Sequence, residues 1–440
     1  MHEVSNATEK EHYIEAIEEM ASQKTPEWLA TLREDAAKRF AERPLPHRKL
    51  EAWRFTNVNP IIRNPFQPIA ESGVDQLASS DVHPLLYAND WIELVFVDGW
   101  YAPKLSRNAG PGGAAKTAGL HEAIAAEDDL VEAHLGHVLG DGGNVFSDLN
   151  TALAHDGALV HIPKNVELDR PIHLVFVSSK TATESVIHPR VLVIADANSE
   201  ATIIESHVSL AGEPRYFSNP VTEIRLNDGA RLTRIKVLDE GPQGYHLSTT
   251  QVRQDRDSRF DGFTFSMGGP IGRNELNIVF EGEGAECSLR GLTLTEGSRL
   301  VDNAISVEHH AAHCNSWIGY KSVLEDKSHS VFCGRVYVAP GAQLTDSNQL
   351  NQNLLLSDKA TVNTKPQLEI YADDVKCTHG ATVGPPPQEL VFYFQTRGMS
   401  QAMARGILTY GFADEVVNET PLDPVRDRLD RRVFDKYSPK

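Results

Sequence analysis

Short apolar runs separated by polar turns fill the middle of the chain, from about residue 150 to residue 380. Runs such as residues 174–177 and 191–194 are continuous Val, Ile, Leu and Phe, which is typical of strands buried on both faces. The turns between the runs join Asp, Asn or Gly to small residues, as at residues 196–198 and 283–285. These residue types favour tight turns, so the pattern predicts a mainly β core.

The turns recur at two regular spacings. Early in the core they lie 29, 27 and 26 residues apart, at Asp228, Asp257, Gly284 and His310. Later they lie 15, 17 and 16 residues apart, at Asp326, Gly341, Asp358 and Asp374. Because the short spacing is about half of the long one and no helix intervenes, the rhythm predicts a solenoid of stacked β coils. A jelly roll or sandwich is the alternative, although the Asn-Gly and Gly-Gly turns of tight hairpins are scarce.

Helical patterns flank this core on both sides. Residues 8–22 have an amphipathic period, and Pro26 opens a second helix whose apolar stripe runs to residue 40. After the core, residues 399–412 and 423–434 also fit helices. The sequence therefore predicts an N-terminal helical or α+β domain over 1–145, a β-helix core over 146–385 and a C-terminal helical segment over 386–440.

Composition and charge narrow the class of protein. The chain has 440 residues, 40% of them hydrophobic, and a net charge of −19, which argues against a free nucleic-acid-binding protein. No apolar run approaches the roughly 20 residues that span a bilayer, and no secretion signal follows Met1. Four widely spaced cysteines without a CxxC pair exclude a zinc ribbon. We expect a cytoplasmic protein that binds neither nucleic acid nor membrane.

The stretch from residue 365 to 380 carries the strongest candidate chemistry. It predicts a strand that Gly380 ends, on which Cys377 and His379 share one face because side chains alternate along a strand. Thiolate and imidazole both bind iron and softer metals. Two ligands cannot complete a tetrahedral site, so further ligands would have to come from elsewhere, such as another subunit. The alternative is a buried cysteine that packs as a small hydrophobe beside a hydrogen-bonded histidine.

Two other clusters suggest different chemistry. His309 and His313 have the i, i+4 spacing of helical metal ligands, with His310 and Cys314 beside them, but strand-like segments on both sides favour a polar turn. Asp373 and Asp374, with Lys376 and His379, suggest a carbohydrate-cleaving β-helix hydrolase. Adjacent acids on a strand point to opposite faces, however, whereas inverting hydrolysis needs two carboxyls flanking a water. A purely structural solenoid is the third interpretation. No nucleotide-binding loop occurs in a strand-turn-helix setting, and we expect no enzymatic activity.

Residues 364–370 and 373–380 resemble the signature of the SufB/SufD family of iron–sulfur cluster assembly proteins. Similar stretches extend over nearly the whole chain, at residues 51–55, 96–99, 149–150, 156–158, 188–190, 301–303, 332–334, 349–356, 392–393 and 397–398. Two features depart from the family pattern. Residues 385–387 are all proline where the family has a more polar link, and Thr378 replaces a serine.

The resemblance implies a right-handed parallel β-helix and a scaffold without turnover of its own. A family member of this kind pairs with a SufB-like paralogue through the β-helix cores. It also binds a SufC-like ABC ATPase, here through residues of about 390–420. His379 matches the family histidine implicated in a transient iron–sulfur cluster shared at the subunit interface, and Cys377 matches the adjacent cysteine. No permanently bound cofactor is implied, and a homodimer of the isolated chain is left open.

Overall fold

The computed structural model describes residues 2–69, 73–110, 114–210 and 214–438. Its N-terminal part is a layer of helices with a few short strands. Leu29, Ala36 and Phe40 repeat at helical spacing and are buried on one face of the second helix. The helices are α1 (His2–Ala21), α2 (Glu27–Glu42), α3 (Asn59–Ile62), α4 (Ser79–Val82), α5 (Leu120–Ala125), α6 (Asp129–His134) and α7 (Val145–Leu153). The strands are β1 (Gln67–Pro68), β2 (Ile92–Val97), β3 (Trp100–Tyr101) and β4 (Lys116–Gly119).

The core is a β-solenoid of about eight turns, and the predicted mainly β fold class is confirmed. Its strands are β5 (Gly157–Ile162), β6 (Ile172–Ser178), β7 (Ser185–Ile187), β8 (Arg190–Ala195), β9 (Glu200–Ser209), β10 (Tyr216–Ser218), β11 (Val221–Leu226), β12 (Arg231–Asp239), β13 (Gly244–Gln254), β14 (Arg259–Ser266), β15 (Ile271–Phe280), β16 (Glu286–Thr295), β17 (Leu300–His309), β18 (Asn315–Leu324), β19 (His329–Val338), β20 (Asp346–Leu355), β21 (Thr361–Ile370) and β22 (Lys376–Gly384).

Successive strands alternate between two sheets from β12 onward. One sheet has the order β4-β5-β8-β11-β13-β15-β17-β19-β21, and the other β3-β2-β6-β9-β12-β14-β16-β18-β20-β22. Ile271 aligns with Leu300 and Leu300 with His329, so these coils are offset by 29 residues. The long turn spacing in the sequence is therefore one full coil, and the short spacing is one strand with its turn.

A ladder of left-handed turn residues runs along one corner of the solenoid. Each coil contributes one residue with positive φ, and its backbone N–H donates to a carbonyl of the next coil, as from Asn198 to Asp228 at 2.9 Å and from Asp257 to Glu283 at 2.9 Å. Asn, Asp and Gly tolerate this backbone best. The ladder includes Asn198, Gly229, Asp257, Gly284 and His313. The regular spacing of Asp, Asn and Gly in the sequence is therefore explained by this ladder.

The two ends of the stack differ. At the start, β3 pairs antiparallel with β2, and β4 pairs antiparallel with β5, so a reversed strand covers the first edge of each sheet. At the other end, β21 and β22 are the last strands of their sheets, and no strand in the described part of the chain lies beyond them. Their outer N–H and C=O groups are available for pairing with another strand.

A buried ion pair attaches the N-terminal helices to the solenoid. The Arg190 guanidinium lies 2.6 Å from the Glu223 carboxylate, and both side chains are buried. Arg190 also donates to the side chains of Asn150 and Thr151 in α7. Glu223 accepts from backbone N–H groups near the end of α6, including that of Gly136 at 2.9 Å. Both charges therefore reach across the boundary between the helical layer and the sheet.

Three C-terminal helices follow the last coil: α8 (Gln388–Thr396), α9 (Gln401–Val417) and α10 (Asp423–Tyr437). Apolar residues of α9 and α10, such as Val416 and Leu429, pack on the outer face of the second sheet against Ile235 and Leu292. The sequence predicted the second and third helices but not α8. The division at residues 145 and 385 stays a prediction. Among the described residues, no helix is both long and apolar enough to cross a membrane.

We expect Arg190→Ala to lower the free energy of unfolding by about 3–5 kcal/mol, because it leaves the Glu223 carboxylate buried without its counter-charge. Urea denaturation followed by circular dichroism measures the change. Arg256→Ala is the control, since Arg256 faces Asp257 at 3.8 Å with both side chains largely exposed, and such pairs contribute at most about 1 kcal/mol. Equal losses in the two variants would contradict the assigned role of the buried pair.

Candidate functional site

The candidate stretch from residue 365 to 380 contains two strands that meet at a corner. β21 ends at Ile370 and β22 begins at Lys376, and the residues between them carry the chain from one sheet to the other. The Leu344 N–H donates to the carbonyl of Asp374 at 2.7 Å, which continues the turn ladder. The predicted strand end at Gly380 is wrong, because Gly380 stays in register with β20 and the strand runs on to Gly384.

Cys377 and His379 lie on the same face of β22, as the strand period predicted. Cys377 aligns with Ser347 and His379 with Gln349 in the preceding coil, and both partners are buried in the solenoid interior. Thr378 faces outward, where it accepts a hydrogen bond from the Asn348 side chain at 2.6 Å. The two candidate ligands thus project over the open end of the solenoid interior, from a strand whose outer edge is unpaired.

The environments of the two side chains differ. Cys377 is half-buried and packs against the apolar interior, and burial, with a smaller contribution from Asp346, raises the pKa of its thiol. Since the thiolate is the metal-binding form, a positive charge or metal must arrive before Cys377 can serve as a ligand. His379 is exposed, so its imidazole is accessible to a binding partner at this edge.

The open end also exposes apolar side chains. Ile370 is 38% exposed and Val383 49% exposed, and Tyr371 at the corner is 62% exposed. Ile370 is in register with Val338, which is fully buried one coil earlier. A further coil or another chain stacked on this end would bury the same position. The end therefore combines free backbone groups with an uncovered section of the core.

A second exposed surface lies on α8, which the sequence analysis missed. Leu390, Phe392 and Tyr393 are 46%, 66% and 51% exposed, while Val391 is buried against the rest of the protein. Met403 and Ile407 of α9 are also partly exposed. This aromatic helix follows directly after the last strand, and it overlaps the segment of about 390–420 for which the family resemblance implies an ATPase contact. A search for helical periodicity starting at Pro387 could have detected this helix in the sequence.

The histidine cluster at residues 309–314 does not gather its side chains. His309 is buried and hydrogen-bonds to Ser316 at 3.0 Å, whereas His310 is exposed and contacts Glu308. His313 occupies the left-handed position of the turn ladder, with φ of 61°. Over the described ranges, none of these residues belongs to a group of three potential metal ligands. The favoured interpretation as a polar turn agrees with this geometry.

We expect His309→Gln to reduce the loss of unfolding free energy as the pH falls below about 6. Burial lowers the pKa of His309 to about 3, so the unfolded chain takes up a proton first as the pH falls below about 6.5. Stability is then lost by about 1.4 kcal/mol per pH unit from this group as the pH falls from 6 to 4. Urea titrations of both proteins should give parallel curves above pH 7 and a shallower curve for the variant below pH 6. Parallel curves throughout would contradict this account.

The paired acids of the hydrolase alternative lie in the exposed corner between the last two strands. Asp373 and Asp374 are neighbours in this turn, and the Asp374 N–H donates to the Gln343 side chain at 2.9 Å. A glycosidase needs its two carboxyls on opposite sides of a bound sugar. These two acids follow each other along an outer turn, so the local geometry resembles a coil corner more than a catalytic cleft.

Residues 51–55 and 301–303, which carry part of the family resemblance, help to attach the N-terminal segment to the solenoid. Arg273 lies 4.1 Å from the centre of the Trp53 ring and forms a buried ion pair with Asp302. Thr56 donates to the same Asp302 carboxylate. The Glu51 carboxylate contacts Lys365 on the last strand of the first sheet. These positions therefore hold the segment 51–56 against the terminal coils.

Comparison with protein families agrees with this architecture. Residues 176–412 match the family described as SUF system FeS cluster assembly, SufBD core domain. Residues 6–174 match the SufBD protein N-terminal region. Together the two matches cover most of the chain, from the first helix to α9.

Individual relatives match over nearly their whole length. An iron–sulfur cluster assembly SufBD family protein of Synechocystis sp. is 32% identical over 431 residues, covering 96% of this chain and 94% of the relative. The iron–sulfur cluster assembly protein SufD of Escherichia coli is 31% identical over 420 residues, covering 94% and 92%. SufD of Bacillus subtilis is 26% identical over 434 residues, covering 95% and 96%. The chain belongs to the SufBD family of iron–sulfur cluster assembly proteins. Within that family it is homologous to the proteins named SufD.

Proposed function

We propose that this chain is a non-catalytic, cytoplasmic scaffold subunit that pairs with a SufB-like paralogue and builds nascent iron–sulfur clusters at their shared interface. One observation carries the proposal. Cys377 and His379 project over the end of the solenoid interior from a last strand whose outer edge is unpaired. An incomplete ligand set on an unpaired edge fits a cluster site that two chains complete together.

Pairing at this end follows from backbone chemistry. Unpaired N–H and C=O groups of β21 and β22 can extend each sheet onto edge strands of a second solenoid. The same contact would cover Ile370 and Val383, which are now exposed. A homodimer could use this end too, but it would bring two copies of the same two ligands. A paralogue can add different ligands.

The cluster is the cargo of such an interface, and this chain would supply His379 first. An accessible imidazole can bind iron as it stands. Cys377 would join once bound iron lowers the pKa of its thiol. Sulfide and the remaining ligands would come from outside the chain.

An ABC-type ATPase of the SufC kind is the partner proposed for residues of about 390–420. The exposed Leu390, Phe392 and Tyr393 of α8 form an apolar surface, and exposed aromatic side chains commonly anchor protein interfaces. Because α8 directly follows β22, movement of a docked ATPase would reach the strand that carries His379 through only a few residues.

We expect His379→Ala to keep the partners bound but to lower cluster yield by at least about tenfold, since even the outer partners of metal ligands contribute that much to affinity. The measurement is visible absorption after anaerobic reconstitution of the complex with iron and sulfide. His121→Ala is the matched control, because His121 is an exposed histidine on α5. Undiminished yield in the His379 variant would remove the central claim.

Val383→Arg separates pairing from ligation. It puts a charge on the apolar open end without touching Cys377 or His379, so the paralogue should no longer co-purify. A purely structural solenoid or a carbohydrate hydrolase would bring down neither paralogue nor ATPase even as the wild type.

We expect Phe392→Asp to abolish co-purification of the ATPase while the paralogue stays bound, because a charge would have to be buried at the centre of the α8 surface. Phe434→Asp is the control, since Phe434 is a similarly exposed aromatic, at 53%, on α10 outside residues 390–420. Affinity pull-down with mass spectrometry measures both. ATPase loss in the control alone would place the contact on α10 and contradict the assignment to α8.

A further inference from the structure

A cluster of ionisable side chains lies inside the solenoid, several coils before the open end. His207 on β9, Glu240 after β12 and His246 on β13 are each buried, and their ligand atoms lie within 4.8 Å of one another. From this geometry we propose that His207, Glu240 and His246 form a binding site for one divalent first-row transition-metal cation, such as Zn²⁺ or Fe²⁺. Two imidazoles and one carboxylate are an established ligand set for such ions.

Each side chain of the cluster can offer a ligand atom. The Nε2 of His207 lies 2.8 Å from the Glu205 carboxylate, to which it can only donate, so its Nδ1 carries the lone pair. The Nδ1 of His246 lies 3.1 Å from the Glu240 carboxylate, and a cation between these two groups would replace the proton that they share. The second carboxylate oxygen of Glu240, Oε2, is buried without a hydrogen-bond partner. Unpaired buried polar atoms are costly, and a cation would satisfy this one.

The surrounding groups have the arrangement of an outer coordination shell. Metal-binding histidines usually donate their other N–H to a carboxylate, as His207 does to Glu205. The Glu205 carboxylate is fixed in turn by Arg234 at 2.5 Å. Burial lowers the pKa of His207 to about 4, which keeps the ring in the neutral, ligating form.

Besides Arg234, whose charge Glu205 neutralises, Lys236 is a nearby charge that opposes a cation, 3.9 Å from Glu205. Burial lowers the pKa of this amine to about 7, so it can lose its proton near neutral pH. Its Nζ already hydrogen-bonds to the Ser248 hydroxyl at 2.7 Å, an interaction that a neutral amine can keep. A bound cation and a neutral Lys236 are therefore compatible.

A groove at the surface borders the site at Glu240. It has a volume of about 550 Å³ and is lined by Glu240 and Gly241 on the solenoid and by Arg432, Asp435 and Lys436 on α10. Metal–ligand bonds of about 2.0–2.1 Å put tetrahedral ligand atoms about 3.3 Å apart. The three ligand atoms, which lie within 4.8 Å of one another, would therefore approach by up to roughly 1.5 Å, and a water molecule would take the fourth position.

The test uses the full-length chain after treatment with a chelator. Cobalt(II) is added first, because its visible absorption reports coordination, and then Zn²⁺, anaerobic Fe²⁺ and Mg²⁺ are titrated by calorimetry. A Cys377→Ser/His379→Ala background excludes the open-end residues. We expect one equivalent of Co²⁺, displaced by Zn²⁺, by Fe²⁺ only in large excess and not by Mg²⁺, and a rise in Tm on binding. No binding in this background, or displacement by Mg²⁺, would overturn the proposal.

Two variants in the same background locate the ion. His246→Gln removes a ligand, and Glu240→Gln keeps the side-chain shape while weakening the carboxylate ligand. Each should lower affinity at least about tenfold and abolish the metal-dependent rise in Tm, with circular dichroism showing that the fold is kept. His309→Gln is the control, because His309 is buried in the same solenoid away from the cluster. Unchanged affinity in Glu240→Gln would overturn the assignment of this site even if His246→Gln failed to fold.

Discussion

Backbone hydrogen bonding between coils is the constraint on which this structure depends. A buried strand must pair its N–H and C=O groups, and in a solenoid only the coils above and below can provide partners. Each coil therefore needs nearly the same length as its neighbours, and each corner must turn at the same place. The positive-φ residues such as Asn198 and Gly229 set that place. The stack is regular because an error in one coil would leave both neighbours unpaired.

The proposed cluster site lies where this regularity ends. Within the coils, inward side chains pack on those of adjacent coils, so a polar ligand there must find a buried partner. At β22 the next coil is missing, and Cys377 and His379 occupy inward positions that nothing in the described chain covers. In an inner coil the side chains of such a strand would be covered by the next coil. Because β22 is the last strand of its sheet, its inward side chains are accessible to ligands.

Much of the fold was readable from the sequence because its signals are local. A left-handed corner favours Asn, Asp or Gly, so these residues recur once per coil and their spacing in the sequence gives the coil length. The alternation that put Cys377 and His379 on one face is equally local. Helix α8 was missed because Leu390, Phe392 and Phe394 alternate as in a strand and are residue types that favour strands. Burial of Val391 against the rest of the protein favours the helix instead. The cluster of His207, Glu240 and His246 could not be found, because it depends on the register of separate coils.

The reversed strands at the start of the solenoid have a consequence for assembly size. Parallel stacks with two open ends can add subunits indefinitely and form fibres. Here β3 and β4, of two and four residues, run antiparallel to their neighbours at the first coil, and strands this short offer little edge for pairing. Association through the β-edges is therefore favoured at the other end. If the partner also has one open end, end-to-end pairing stops at two solenoids and does not continue into a filament.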